Sequence, residues 1–156
     1  ARAGNISRAF GDRLFITRTG SFVGSLSPKD IIELPLEGDS PLEERASTEL
    51  RVHRAILLST EGRAVVHAHP PYAVTLSFRL STITPADSEG REILGEVRVI
   101  DSPKEVPFVL KSSGVVIVKG HGAFAVGKEL KDAYALISTL EHSCRILYSL
   151  WTPAGL

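Results

Sequence analysis

The chain has 156 residues, 18 of them basic and 18 acidic, for a formal net charge of zero. That length supports one domain with a hydrophobic core, and the charge argues against nucleic acid or another polyanionic surface as partner. A single cysteine, Cys144, excludes an intrachain disulfide and a CxxC-type zinc site.

No apolar run reaches the roughly 20 residues of a membrane span and no signal peptide is visible, so a cytoplasmic protein without a membrane partner is expected. The sequence has no Met and no Gln, and Asn5 is its only Asn. Depletion of such thermolabile residues is a thermophile-like composition. The chain opens within "ARAGNIS" without an initiator Met, and an N-terminal helix upstream of residue 1 is expected.

Pattern alone reads "GNIS" (4–7) and "RTG" (18–20) as turns. "RLFIT" (13–17) and "DIIELPL" (30–36) read as strands, and residues 37–46 as a polar loop. "STELRVHRAILLST" (47–60) predicts a helix with Leu50, His53, Ile56 and Leu57 on one face. "RAVVHAH" (63–69) predicts a strand that Pro70-Pro71 ends, with a helix over 72–80 after it. Residues 81–93 read as a loop and 95–100 as a strand. "VVIVKGHGAFAVG" (115–127) reads as a buried β-branched strand, a glycine-flanked histidine, and a second strand or turn. Residues 128–150 form the clearest helix. Its apolar stripe is Leu130, Ala133, Tyr134, Ile137, Leu140, Cys144 and Leu147, and Glu141 can pair with Arg145. Strands and helices mixed without strict βαβ alternation predict a single three-layer α/β/α domain over residues 1–156, with a mixed, largely antiparallel central sheet.

Residues i and i+2 of a strand share a face about 7 Å apart, so His67 and His69 can converge on one metal ion. Taken alone, the pair fits equally well a packed His67 with His69 capping the strand end. His121, between glycines that allow close backbone approach, adds a third imidazole. Three histidines with one open position is the arrangement of a catalytic metal, with Zn²⁺ the default and Fe, Co or Ni also suited. His53 reads as a hydrogen-bonded core residue and His142 as a surface one. Glu49, in "STE" at a helix N-terminus, is the candidate base; its bland reading is a complement to the helix dipole. Ser47, Thr48 and the free N–H groups beside them would form an anion site.

In order and spacing, "GNISR" (4–8), "ITRTG" (16–20), "DIIEL" (30–34), "STE" (47–49), "AVVHAHPPYA" (64–73) and "GHGAFAVGKELKDAYA" (120–135) resemble the class II aldolase/adducin family over nearly the whole chain. Within that family the resemblance is to the fuculose-phosphate aldolase group and its small archaeal-type members. It implies that His67, His69 and His121 bind one zinc ion per subunit. Glu49 matches the carboxylate that acts as acid/base, and Asn5, Thr19, Gly20, Ser47 and Thr48 match the positions that cradle the substrate phosphate. It further implies a homotetramer with active sites at subunit interfaces, cleaving a small ketose 1-phosphate to dihydroxyacetone phosphate and an aldehyde.

The chain departs from the family pattern in two places. Arg18 stands where the family commonly has Pro, and either adds a phosphate contact or faces water. The segment 81–107 has no Tyr, where the better-known aldolases supply one to a neighbouring site, so the acid for the aldehyde oxygen is unassigned. Tyr148 reads as helix packing. A pentulose-phosphate 4-epimerase would share the chemistry but usually carries Asp at the position of Glu49. A methylthioribulose-phosphate dehydratase shares both the metal site and the Glu. A cupin-type oxygenase expects a Glu soon after the HxH pair, and "PPYAVTLSFR" has none. An adducin-like interaction domain would lack the metal ligands present here.

Overall fold

The β-branched run Val115–Val118 offers no polar face, and all its side chains are buried in the sheet interior. The structure, a computed structural model, describes residues 4–151; the start of "ARAGNIS" and the terminal "TPAGL" lie outside the described residues. In chain order the elements are β1 (Asn5–Phe10), β2 (Arg13–Thr17), β3 (Ile31–Pro35), α1 (Leu50–Ser59), β4 (Ala64–Ala68), α2 (Pro71–Ser77) and β5 (Thr82–Ile83). They continue with α3 (Ser88–Ile93), β6 (Val97–Ile100), α4 (Val106–Val109), β7 (Val115–Val118), β8 (Gly122–Gly127) and α5 (Leu130–Trp151). The eight strands form one sheet in the order β3-β2-β1-β4-β8-β7-β6-β5. Among the described residues only the β6–β7 pair is parallel.

Helices cover both faces, giving the expected α/β/α layers. On one face α1 and α4 bury Leu50, Ile56, Val106 and Val109 against Leu14, Ile16, Val65 and Phe124. On the other, α2 and α5 bury Leu76, Ile137, Leu140 and Cys144 against Val66, Ile117 and Ala125, with α3 packed on α5. Adjacent residues Val65 and Val66 serve opposite cores, as the strand period of two requires. No helix among the described residues is long and apolar enough to cross a membrane.

Several local expectations change. "GNIS" is the start of a central strand, not a turn, with Asn5 paired to His67 and Ser7 to Val65. Gly4 leads into it at φ 108°, where a Cβ would stand 2.6 Å from the His67 carbonyl oxygen, so only glycine fits. The loop at 81–93 contains β5 and α3, whose first turn is capped by Asp87 Oδ2 accepting from Gly90 N–H at 2.7 Å. Tyr134 is 64% exposed and leaves the apolar stripe of α5. Glu141 turns from Arg145 to α2, accepting from the N–H groups of Tyr72 and Ala73 at 3.1 Å. Those first-turn donors lack intrahelical partners and sit at the positive end of the helix dipole, which favours the carboxylate.

His53 is fully buried on α1 and its Nδ1 lies 2.7 Å from Ser7 Oγ, tying the helix to β1. Burial, reinforced by the neighbouring His67, pushes its pKa down from 6.5 to about 3. Between those values the unfolded chain binds a proton that the native chain does not, so stability falls as pH drops below about 6.5. In chelator-treated protein, His53→Leu should make the loss of stability between pH 6.5 and 5 shallower by up to about 1.4 kcal/mol per pH unit. Urea unfolding across that range measures it, and an unchanged slope would refute a neutral buried His53.

Candidate active site

The end of β4 brings His67 and His69 to the rim of the sheet, and the β7–β8 turn brings His121 beside them. Their ligating nitrogens all lie within 4.8 Å of one another. His67 is buried, with its ring stacked on Phe124 and on His121 at centroid distances of 4.0 and 5.0 Å. Its Nδ1 lies 3.0 Å from the Ala123 carbonyl oxygen. A carbonyl only accepts, so Nδ1 carries the hydrogen and the Nε2 lone pair points into the site. Such a contact fixes the tautomer and plane of a metal-ligating histidine.

Close backbone approach makes the cluster possible. A Cβ on Gly122 would stand 2.5 Å from the Ala68 carbonyl oxygen, 2.8 Å from His69 Cδ2 and 2.9 Å from His67 Cε1. Gly120 turns at φ 67°. Both glycines of "GHG" are therefore required, for different reasons.

Glu49, at the N-terminus of α1, closes the group. Its Oε1 is 3.0 Å from His121 Nε2, and its Oε2 is 3.3 Å from His67 Nε2. The same Oε2 accepts from Asn5 Nδ2 at 2.8 Å. Asn5 is therefore seen holding Glu49, while its Oδ1 is buried without a hydrogen-bond partner among the described residues.

These residues fit a divalent cation. His67 and His69 face each other with Nε2 atoms 2.8 Å apart, a gap that either the N–H of a neutral His69 or a cation held by both lone pairs fills. Burial keeps both rings neutral and so able to ligate, pushing His67 down to about 4 and lowering His69, with His121 adding to the effect on both. An ion satisfies all three imidazoles with the carboxylate beside it, and imidazole with carboxylate suits zinc and its neighbours.

The cleft, about 240 Å³, runs from these histidines to a polar end built by the 18–21 turn and the 47–49 segment. Asn5, Thr19, Gly20, Ser47, Thr48, Glu49, His67, His69 and His121 all line it, together with Gly4, Arg18 and Ser21. The two segments are cross-tied: Thr19 N–H donates to Arg45 O and Ser47 N–H to Thr17 O, each at 3.0 Å. Among the described residues the N–H groups of Gly20 and Thr48 make no such bond. Sequence reasoning misses Ser21 as a lining residue and Phe124 as the floor beneath His67; only the strand register shows the second.

Comparison with known proteins agrees with this geometry. The family described as Class II Aldolase and Adducin N-terminal domain matches residues 1–148. An L-fuculose phosphate aldolase of Methanocaldococcus jannaschii is 28% identical over 153 residues, covering 92% of this chain and 82% of that protein. A methylthioribulose-1-phosphate dehydratase of Methylococcus capsulatus is 28% identical over 166 residues, covering 91% and 80%. The crystal structure of L-fuculose-1-phosphate aldolase from Thermus thermophilus superposes with a TM-score of 0.91 at 41% identity, covering 100% of this chain and 88% of that one. The chain belongs to the class II aldolase/adducin family, as one of its metal-dependent lyases.

Proposed function

We propose that the protein is a zinc-dependent aldolase that reversibly cleaves a ketose 1-phosphate, L-fuculose 1-phosphate first among them, to dihydroxyacetone phosphate and a small aldehyde such as lactaldehyde. The observation that carries the proposal is the position of Glu49, a carboxylate held against a three-histidine cluster in a cleft whose other end is lined by hydroxyls and free N–H groups. The phosphorylated substrate follows from the resemblance to L-fuculose phosphate aldolases.

His67, His69 and His121 would hold the ion, which supplies Lewis acidity at a carbonyl oxygen when bound. Glu49 does the proton work. In cleavage the C4 hydroxyl gives its proton to solvent and the C3–C4 bond breaks, with its electron pair left on the three-carbon fragment. The aldehyde departs, and Glu49 delivers a proton to C3. In synthesis it removes that proton. Asn5 holds one carboxylate oxygen through its amide, which directs the other side of Glu49 toward the histidines. Thr19, Gly20, Ser47 and Thr48 bind and orient the phosphate, fixing the distance between the anchored end of the substrate and the reacting carbon.

The proposal includes assembly as a homotetramer with the cleft at a subunit interface, and residence in the cytoplasm. A second reading, dehydration of a methylthioribulose-type phosphate, is supported by the 28% identity to the Methylococcus dehydratase, equal to that of the Methanocaldococcus aldolase.

Stereospecific exchange of a C3 proton of dihydroxyacetone phosphate in D₂O, followed by NMR, should occur with the zinc-loaded protein, vanish after chelation and return with Zn²⁺. No exchange by the zinc-loaded protein would reject the aldolase and favour the dehydratase. Glu49→Gln should slow exchange by about 10²–10⁴-fold while retaining the metal, whereas His67→Ala should lose metal and exchange together. Full exchange in Glu49→Gln would place the base elsewhere.

A further inference from the structure

The polar end of the cleft is rich in donors and poor in charge. Thr19 and Ser47 direct their N–H groups to Arg45 O and Thr17 O, and Ser47 Oγ accepts from Glu49 N–H at 3.3 Å. What is left for a ligand is neutral: the Gly20 and Thr48 N–H groups and the Thr19, Ser47 and Thr48 hydroxyls, the Ser47 O–H still being free to donate. A phosphate monoester near neutral pH carries between one and two negative charges, and it would share this cleft with the Glu49 carboxylate. Apart from the histidines, Arg18 is the only residue with a basic side chain that lines the cleft among the described residues.

Arg18 is also built to be available. Its backbone is held on both sides, by N–H donation to Asp30 O at 2.7 Å, by the bridge to Ala46, and by Ser21 N–H on its own carbonyl at 3.2 Å. Asp30 commits its carboxylate to the hydroxyl and N–H of Ser27. The guanidinium forms no ion pair among the described residues, so the main chain is fixed while the charge is uncommitted.

Resting on the proposed aldolase reading, we infer that Arg18 binds the substrate phosphate and supplies the charge by which the site selects phosphorylated over unphosphorylated ketoses. A guanidinium pairs with two phosphate oxygens at once, which neutral hydroxyls cannot match in energy. Arg18 anchors one end of the substrate, away from the bond that breaks. Its loss should therefore raise KM far more than it lowers kcat.

The test compares wild type, Arg18→Ala and Arg18→Lys, each zinc-loaded, on L-fuculose 1-phosphate and on L-fuculose, and titrates each with inorganic phosphate by calorimetry. Arg18→Ala should lose roughly tenfold to a hundredfold in kcat/KM on the phosphorylated sugar, mostly through KM. Turnover of the free sugar should stay within about threefold, Arg18→Lys should recover part of the loss, and the melting temperature should not move. Equal losses on both sugars, or no loss on either, would overturn the inference. If wild type turns over neither sugar, the aldolase reading fails by itself. Phosphate titration then decides Arg18: weaker binding in Arg18→Ala sustains its anion role, and unchanged binding removes it.

Discussion

Sliding β1, β4 and β8 past one another by a single residue would turn the side chains that matter to the wrong face. In the observed register Asn5, His67 and Phe124 lie directly across from one another on three neighbouring strands. One row of the sheet thereby carries the residue that holds Glu49, a candidate ligand, and the ring stacked beneath that ligand. Two residues along, Ser7 on the same face meets His53 of α1. That contact sets α1 against the sheet, and its N-terminus brings Glu49 to the histidines. Hydrophobic burial on both faces holds the register, so the core and the site are specified by the same pairing.

The cleft joins two electrostatic problems at opposite ends. At one end, three imidazoles and a carboxylate crowd together, with burial keeping His67 and His69 neutral, a set of donors that fits a divalent cation. At the other end, two chain segments cross-tied by backbone bonds offer neutral donors and, among the described residues, one cationic side chain. Glu49 belongs to both, since it lies against the histidines while sitting at the helix N-terminus that forms part of the polar end.

The three-histidine cluster is readable in the sequence as a candidate metal site because strand periodicity, the glycines around His121 and the collinear family motifs all point the same way. The long helix and the β-branched strands are equally legible. Other features are not, for physical reasons. The start of β1 resembles a turn because its buried positions carry Asn5 and Ser7, polar residues whose partners, Glu49 and His53, lie more than 40 positions away. The short helices α3 and α4 offer too few residues for periodicity to register. Glu141 fits an i,i+4 pair by spacing, but no local rule shows that α2 presents unfilled N–H groups to it. Phe124 reads as one more apolar residue until the register places its ring under His67.

The two ends of the cleft are also secured by different means. The histidines are pinned by the sheet ladder and by glycines with no room for a side chain. The 18–21 turn lies outside any strand; Gly20, at φ 76°, is held to glycine by its backbone, but Arg18 and Thr19 beside it have exposed side chains and no left-handed backbone. The molecule is therefore modular in evolutionary terms. Selection can rewrite the exposed side chains of this turn, Arg18 and Thr19 among them, without disturbing the histidine cluster, so a change at one end of the cleft need not be a change at the other.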